Sequence, residues 1–498
     1  MDRLRDWVSW SSERRGKALP GPWGLPFVGS LPHIAMHAMP HLVLTDLGKT
    51  YGDVYGLSLG AWNTVVLNSL GAAREALVQN AENFSSRPPN WQTLQALGTH
   101  KYSVAFGDYN SVQTQRKKAL LRMFHQALIS RADILNDVVT SEVDLLNSKL
   151  AASGPDPQDP RDLIIRASFR TQFRLSFGEH VTDEVERELM EISKAGRKFQ
   201  ESSNLAFLTD FLPWTRLALK KPLDKFEENI RALMDFVRKI YLERRQTYEN
   251  EEQESCHASA ITKHLSSFMT TSHMEEGQKQ VEKKEIENQV VATLAADTFG
   301  AGLENVSSSL LWAVAYIASH DELQDELRDE IMRVVGNDRV PILQDKGNMP
   351  LLQATILETF RLGSALPLTI PHYCNKSCTV KGFEVREGSL VLVNLWGINH
   401  DPRYFCDPYV FEPHRFLDLA GELRGDRCSS AIPFGIGHRA CAGNTMSKSL
   451  LFVLLAGILQ KFKLQAVQSG ETVTPLKGST LFPDSYKVAF IPWGEVDA

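Results

Sequence analysis

The chain has 498 residues, of which 43% are hydrophobic and 23% are charged, and its formal net charge is -6 at pH 7. This composition is typical of a globular protein with a large core, and the negative charge excludes the broad basic field of a nucleic-acid-binding protein. No apolar run approaches the ~20 residues that cross a bilayer, and the charged start excludes a secretory signal.

The six cysteines are too few for a disulfide framework in a chain of this length. Two of them, Cys374 and Cys378, could supply half of a metal site. No second Cys or His pair follows at zinc-finger spacing. We therefore predict that Cys374 and Cys378 are unrelated thiols in a reducing compartment.

The N-terminal part divides into a polar tail, residues 1–18, and a proline-rich stretch, residues 19–32. The prolines fix φ and remove backbone donors, so residues 19–32 are predicted to be stiff and extended. A short helix is then predicted from Pro40 to Tyr51. Two strands, Val54 to Leu59 and Thr64 to Asn68, are predicted to form a hairpin.

The middle of the chain is predicted to be largely helical. A basic helix is expected over residues 112–129, several helices over 161–250, and a polar loop over 249–285. The longest helical candidate, residues 285–319, is apolar on nearly all sides and should be buried. Within it, the small pair Ala301-Gly302 precedes an acid and an amide, Glu304-Asn305.

Helix and strand patterns alternate in the C-terminal part. A helix from Leu351 to Leu362 carries Glu358 and Arg361, which lie three residues apart and so share a face. Strand-like alternation follows from Pro367 to Asn394, and short strands are predicted from Leu464 to Pro492.

A glycine-rich loop from Phe434 to Gly443 contains Arg439 and Cys441, and a predicted helix from Asn444 to Lys461 follows. Glycines allow backbone conformations that other residues resist, and they let a chain approach a flat object closely. A cysteine before a helix experiences the positive end of the helix dipole, which favours the thiolate. The loop is therefore predicted to present one anionic sulfur to a metal.

This loop resembles the haem-binding loop F-G-x-G-x-R-x-C-x-G of the cytochromes P-450. Three further stretches match family motifs in the family's order: Ala301 to Val306 (A-G-x-[DE]-T), Glu358 to Arg361 (E-x-x-R) and Pro413 to Phe416 (P-x-R-F). The resemblance covers about residues 19 to 493. Details such as Thr369-Ile370-Pro371-His372 resemble the animal microsomal branch, with its aromatic-hydrocarbon hydroxylases and steroid 17- and 21-hydroxylases.

The resemblance implies a single, mostly α domain with a small β-rich lobe that encloses haem b, with residues 33–498 as the catalytic domain. It implies that Cys441 ligates the iron, and that Glu304 and Asn305 are the catalytic positions where the family has the acid and the hydroxyl that relay protons to dioxygen. The residues expected to hold the haem besides Cys441 are Arg439, Phe434, Arg87, His372 and Lys117 or Arg116. The expected structural triad is Glu358, Arg361 and Arg415, and the expected pocket residues are Ala301, Gly302, Leu366 and Leu481.

Four positions depart from the family pattern. Asn305 stands where a threonine is expected, and it has no hydroxyl to pass on a proton. Gln113 and Lys117 stand where the family has Trp and Arg; a lysine can meet a carboxylate, but it lacks the arginine fork. His414 replaces the common glutamate of P-x-R-F.

The implied activity is insertion of one oxygen atom from O2 into an apolar steroid or aromatic substrate. Electrons would come from NADPH through NADPH-cytochrome P-450 reductase, with cytochrome b5 as a second candidate partner. The implied location is the cytoplasmic face of the endoplasmic reticulum membrane. Two alternatives stay open. One is a haem-thiolate isomerase or dehydratase that acts on oxygenated lipids, which Asn305 favours; the other is a non-catalytic haem sensor or carrier.

Overall fold

The computed structural model describes residues 17–35, 37, 39–89, 91, 93, 100–178, 180–202, 205–252, 254–263, 280–466, 473–478 and 480–496. Most of the predicted polar tail, 1–18, lies outside the described residues. Within them the chain is mostly helical and has three small sheets.

The α-helices are numbered in chain order. They are α1 (Leu31–Ala35), α2 (Pro40–Tyr51), α3 (Leu70–Arg74), α4 (Ala81–Phe84), α5 (Ser111–Ile129), α6 (Ala132–Ala152), α7 (Arg161–Phe177), α8 (Asp183–Ser202), α9 (Leu205–Phe211), α10 (Lys220–Asn250), α11 (His257–Lys263), α12 (Gln280–Ile317), α13 (Asp321–Val334), α14 (Pro350–Gly363), α15 (Leu395–Asn399), α16 (Gly425–Cys428), α17 (Asn444–Lys461) and α18 (Trp493–Val496). A π-helical segment, Glu75–Gln79, continues α3, and 3-10 turns occur at His100–Tyr102, Pro213–Arg216, Leu343–Asn348, Pro413–Phe416 and Gly437–Arg439.

The strands form one mixed sheet and two antiparallel pairs. They are β1 (Val54–Leu59), β2 (Trp62–Leu67), β3 (His372–Tyr373), β4 (Cys378–Val380), β5 (Phe383–Val385), β6 (Leu390–Val393), β7 (Phe462–Ala466) and β8 (Val488–Pro492). The mixed sheet has the order β1-β2-β6-β3, in which β2 and β6 are parallel. The antiparallel pairs β4-β5 and β7-β8 complete the β structure of the described residues.

The centre of the fold is the long helix α12, which packs against α7, α10, α14 and α17. Its 38 residues span about 57 Å at 1.5 Å per residue. Helix α17 is buried on every side, since each residue from Leu450 to Gln460 is buried. Two such apolar helices can be stable only inside a large core, and the main hydrophobic cluster indeed runs through both.

The strongly periodic or uniformly apolar elements were predicted well. Helix α2 and the helix after the cysteine loop have the predicted bounds, and the long helix begins five residues earlier than predicted. The polar segment 249–285 was predicted to be a loop, but it contains the buried helix α11. Residues 264–279 of that segment lie outside the described part of the chain.

The β1-β2 hairpin joins two distant segments of the chain. Gly60, in its turn, has φ +58°, and a Cβ there would lie 2.1 Å from the Phe211 carbonyl oxygen. Its own N–H donates to Val28 O, and the next N–H, of Ala61, donates to Phe211 O. The turn therefore needs glycine, because only glycine combines the left-handed conformation with this close approach.

Candidate haem-binding site

The cysteine loop is a tight turn held by its own backbone. The N–H of Cys441 donates to Phe434 O at 2.9 Å, and the N–H of Ala440 donates to Gly437 O. Gly437 has φ +75°, and a Cβ there would lie 2.0 Å from Leu77 O, so the glycine lets the loop press against the π-helical segment. The loop is fixed before any ligand is considered.

Phe434 supports the loop from the side of the core. Its ring meets that of Phe360, on α14, edge to face at 4.8 Å between centroids. The ammonium of Lys448, on α17, lies 5.4 Å from the ring centroid. The phenylalanine thus joins the loop to the two helices that flank it.

Cys441 borders an opening inside the protein. Its side chain is exposed, yet burial raises the pKa of its thiol, while the N–H of Gly443 and the charge of Lys117 lower that pKa. Both observations hold when a side chain is surrounded by protein but accessible from a deep cleft. Ala301 is likewise exposed, although its neighbours from 290 to 310 on helix α12 are buried or partly buried.

Arg439 is held in place by three backbone carbonyl groups. It donates to Ser85 O at 2.6 Å, to Val104 O at 3.0 Å and to Gly107 O at 2.7 Å. The buried side chain of Gln113, which stands at the expected Trp position, donates to the same Val104 O at 2.8 Å. Gln113 therefore acts on the segment that positions Arg439.

Arg87 lies close to Arg439 and is also bound by carbonyl groups. It donates to Ala105 O at 3.0 Å and to Pro371 O at 2.9 Å. Burial, and next the charge of Arg439, lower its pKa. Two like charges placed together in the protein interior repel each other, so the pair favours an anion between or beside them.

Lys117, on α5, completes this basic cluster. Its ammonium donates to His438 O and Ala440 O of the cysteine loop, both at 2.6 Å. Burial, and next the charge of Arg439, lower its pKa to about 8. Within the described residues, none of Arg87, Lys117 and Arg439 has a carboxylate within ion-pair distance of its side chain.

Arg116, the alternative to Lys117, is placed elsewhere. It is buried, donates to Lys101 O at 3.0 Å and lies over the Tyr102 ring at 5.6 Å. The helix geometry explains the difference, because neighbouring residues on a helix point about 100° apart. Of the two candidates, only Lys117 joins the basic cluster.

His372 lies beside the cluster as a neutral imidazole. Burial, and next the charge of Arg87, lower its pKa to about 3. Its Nδ1 lies 2.7 Å from Phe84 O, a distance that requires Nδ1–H as the donor. Its Nε2 is then an acceptor, so direct binding of a carboxylate there requires uptake of a proton.

The residues that were predicted to line the pocket have different environments in the structure. A Cβ on Gly302 would lie 2.5 Å from the side chain of Gln172, so this glycine lets α7 approach α12 and does not widen the pocket. Leu481 is fully buried, and its carbonyl accepts from Ser308 and Trp312, so its side chain is not part of the accessible wall. Leu366 is 40% exposed.

Asn305 is bonded back to its own helix. Its amide donates to Ala301 O at 2.8 Å, and its Oδ1 is buried without a hydrogen-bond partner among the described residues. The partly exposed Glu304 is adjacent on α12, where its carbonyl accepts the Ser307 hydroxyl at 3.1 Å. Asn305 thus presents a hydrogen-bond acceptor and no exchangeable hydroxyl.

A further acid on α12, the buried Asp297, was missed in the sequence. Its carboxylate accepts the Ser103 hydroxyl at 2.9 Å and the Val104 N–H at 2.7 Å. Burial raises its pKa to about 6, although these hydrogen bonds act in the opposite direction. The available signal was an acid within a mostly apolar stretch of the helix, residues 290–303, and Asp297 fixes the same segment that holds Arg439.

Glu358, Arg361 and Arg415 are brought together, as the family motifs imply. Arg361 binds Glu358 through two hydrogen bonds of 2.7 Å, and Arg415 Nε lies 3.2 Å from the same carboxylate. Glu358 and Arg361 have fully buried side chains. His414, at the departing position, lies exposed between Glu326 and Glu412.

The residues present fit an iron porphyrin with two carboxylates. The accessible sulfur of Cys441 is a suitable ligand for iron. The basic cluster of Arg87, Lys117 and Arg439 lies next to it and has no carboxylate within ion-pair distance in the described part of the chain. A flat, apolar group with two carboxylates and a central iron would bind both the sulfur and the basic cluster.

Comparison with known proteins agrees with this site. The family model described as Cytochrome P450 matches residues 19–490. Cytochrome P450 1A1 of Rattus norvegicus is 31% identical over 474 residues, which cover 93% of this chain and 88% of that protein. Cytochrome P450 2U1 of Homo sapiens is 28% identical over 510 residues, 96% and 90% of the two chains.

Cytochrome P450 1A2 of Felis catus is similar to the same degree, with 30% identity over 477 residues, 93% of this chain and 90% of that protein. These matches span the helical core, the mixed sheet and the cysteine loop together. They agree with the mostly α fold and its small β-rich lobe. The chain therefore belongs to the cytochrome P450 family of monooxygenases.

Proposed function

We propose that this protein is a haem-thiolate monooxygenase that oxidises an apolar substrate of the steroid or aromatic type with NADPH-derived electrons. The observation that carries the proposal is the accessible Cys441 sulfur beside the basic cluster of Arg87, Lys117 and Arg439. When bound, haem supplies the activation of O2 and the insertion of one oxygen atom into the substrate.

The chain's own residues have distinct tasks in this proposal. Cys441 provides the thiolate, and the N–H of Gly443 and the charge of Lys117 stabilise its negative charge. Arg439, Arg87 and Lys117 hold the two carboxylates and fix the orientation of the group. The small side chain of Ala301, on α12, leaves room for the haem and the substrate. Asn305 offers its unpartnered Oδ1 as a hydrogen-bond acceptor, and the adjacent Glu304 is the acid that supplies protons.

Turnover in labelled oxygen tests this function. The protein is combined with a flavoprotein reductase, NADPH and 18O2, and offered a panel of steroids and flat aromatics. One labelled oxygen atom per product molecule is expected. Intact haem with no label and no NADPH-dependent product would contradict a monooxygenase.

A basic face supports the electron-donor part of the proposal. Lys118 and Arg122 are exposed and lie four residues apart on α5, the helix that Lys117 joins to the cysteine loop. Reversal of both charges, Lys118→Glu with Arg122→Glu, should raise the KM for the reductase at unchanged haem content. Lys221→Glu, exposed on α10, is the matched control. Equal KM values would contradict this docking face.

We place the protein at the cytoplasmic face of the endoplasmic reticulum membrane in this proposal. No described helix is long and apolar enough to cross a bilayer. Two exposed apolar segments, with Trp23 and Phe27 in one and Trp214 and Leu217 in the other, support surface contact. The β1-β2 turn binds both segments through Val28 O and Phe211 O, so they lie near each other.

Vesicle binding tests this contact. Trp214→Ser with Leu217→Ser should reduce flotation with phospholipid vesicles, because both side chains are mostly exposed and apolar. Leu419→Ser, in the turn before α16, is the control. Equal flotation of the two variants would contradict the assignment.

One observation favours a second candidate, a haem-thiolate isomerase or dehydratase. Asn305 bonds to Ala301 O and supplies no hydroxyl for a proton relay. Such an enzyme would convert a lipid hydroperoxide without NADPH or reductase. Conversion of hydroperoxides under those conditions, with no labelled product in the first experiment, would favour it.

A further inference from the structure

Two cysteines outside the haem site interact with each other, so the prediction that they are unrelated thiols was wrong. Cys374 follows β3; its thiol donates to Lys376 O at 3.1 Å and lies 4.0 Å from the carbonyl oxygen of Val385, the residue that pairs with Cys378 at the start of β4. Cys374 is fully buried, whereas Cys378 is partly exposed. We propose that Cys374 and Cys378 form a peroxide-sensitive dithiol that closes to an intramolecular disulfide.

The backbone holds the two cysteines in place. Cys374 exchanges two hydrogen bonds with the strand that follows the β4-β5 hairpin: its N–H donates to Ser389 O at 3.0 Å, and its carbonyl accepts the Gly388 N–H at 2.9 Å. The loop between the cysteines is anchored at Asn375, whose N–H donates to Asn83 O at 2.9 Å. A disulfide requires its two cysteines to be held close together, and Cys374 and Cys378 are both fixed beside Val385.

The two thiols are chemically unequal in the way that a nucleophile and a resolving thiol require. The neighbouring Cys374 thiol lowers the pKa of Cys378, and the Asn83 side chain acts in the same direction against the effect of burial. The Cys378 thiol, and next burial, raise the pKa of Cys374. Cys378 therefore carries the thiolate that reacts first.

Access is also limited to one of the two sulfurs. Cys378 lines a surface opening of about 390 Å³ together with Glu75, Ser377 and Glu384. Hydrogen peroxide is small and neutral, so it can enter beside these acids, whereas a large anionic reagent is repelled. Cys374 is fully buried, so Cys378 is the accessible sulfur of the two.

The oxidant is hydrogen peroxide, and the two steps balance. The Cys378 thiolate attacks one peroxide oxygen; the S–O bond forms, the O–O bond breaks, and the leaving hydroxide takes up a proton to become water. The Cys374 sulfur then attacks the sulfenic acid; the S–S bond forms, the S–O bond breaks, and the second water leaves with the Cys374 proton. The proposed function enters only as one cellular source of the peroxide, and the experiment below supplies it directly.

Peptide mapping of the full-length protein tests the proposal, because trypsin cuts at Lys376 between the two cysteines. The protein is treated with hydrogen peroxide, alkylated and digested. Residues 362–376 and 377–381 should then appear as one linked peptide, lighter by two hydrogens than their sum, and dithiothreitol should separate them. Recovery of both as free alkylated peptides, or as sulfinic acids, would overturn the proposal.

Two further measurements separate the roles of the cysteines. In Cys374→Ala, alkylation of Cys378 should slow severalfold at neutral pH, because the Cys374 thiol no longer lowers its pKa, and peroxide should carry Cys378 on to the sulfinic acid. Exposed Cys406 in the same sample is the internal control and should react at an unchanged rate. Equal alkylation rates of Cys378 with and without Cys374 would refute the assigned nucleophile, and far-ultraviolet circular dichroism checks the fold of the variant.

Discussion

Substitution of Glu358 by alanine should destabilise the protein by about 3–5 kcal/mol, the usual cost of breaking a buried ion pair. The carboxylate has no exposed surface and accepts from Arg361 twice, from Arg415 and from the Glu412 N–H. Its removal leaves the fully buried Arg361 guanidinium without its counterion, although three backbone carbonyls still accept from it. Since whole domains are stable by only about 5–15 kcal/mol, the loss is large.

Urea unfolding followed by circular dichroism measures this loss. With an m-value of about 3 kcal/mol per M or more, the midpoint should fall by roughly 1 M. Arg424→Ala, which removes an exposed ion pair with Asp426, is the control and should leave the midpoint unchanged. Glu358→Ala combined with Arg361→Met should cost less than the two single substitutions together. Coincident midpoints for Glu358→Ala and the control would refute the reasoning.

Three more predictions concern the haem site. Burial raises the pKa of Asp297 to about 6, above the unfolded value near 3.9, so the folded state binds more protons than the unfolded state between these values. The free energy of unfolding should therefore fall by up to about 3 kcal/mol as pH rises from about 4 to about 6, and Asp297→Asn should remove this dependence. Lys117→Met should speed transfer of haem to apomyoglobin roughly tenfold, as for a loss of about 1.4 kcal/mol, whereas exposed Lys118→Met should not. Asn305→Thr should raise the fraction of NADPH that yields product, because it restores a hydroxyl.

Each of these three predictions can be contradicted by a specific result. Identical pH profiles of unfolding for the native protein and Asp297→Asn would show that the carboxyl titrates near its ordinary pKa. Equal haem transfer from the Lys117 and Lys118 variants would remove Lys117 from the cofactor site. Unchanged or poorer coupling in Asn305→Thr would make Asn305 a working part of this enzyme.

The sequence predicted what is local and left open what depends on folding. The helix after Cys441 and the buried helix α12 follow from continuous apolar stretches, and the cysteine loop lies within ten residues. Lys117 could not be separated from Arg116, since a one-residue rotation of an amphipathic helix exchanges them and only packing against the loop decides. Gly302 fits a motif equally well whether it faces a pocket or Gln172.

The missed features are contacts between segments far apart in the chain. Asp297 meets Ser103 across 194 positions, and no periodicity reports such a contact. The helix α11 lies in a polar segment, where burial comes from the surrounding helices and not from its own composition. Cys374 and Cys378 lie close in the sequence, but only the turn between them brings the thiols together.

The central claim is that Cys441 supplies the thiolate that binds haem iron. The most direct test is the absorption spectrum of the reduced, carbon monoxide-bound protein, recorded for the native chain, for Cys441→Ala and for Cys406→Ala, which removes an exposed thiol elsewhere. We predict a thiolate-type spectrum for the native chain and for Cys406→Ala, and its loss in Cys441→Ala. A thiolate-type spectrum that persists in Cys441→Ala would contradict the account.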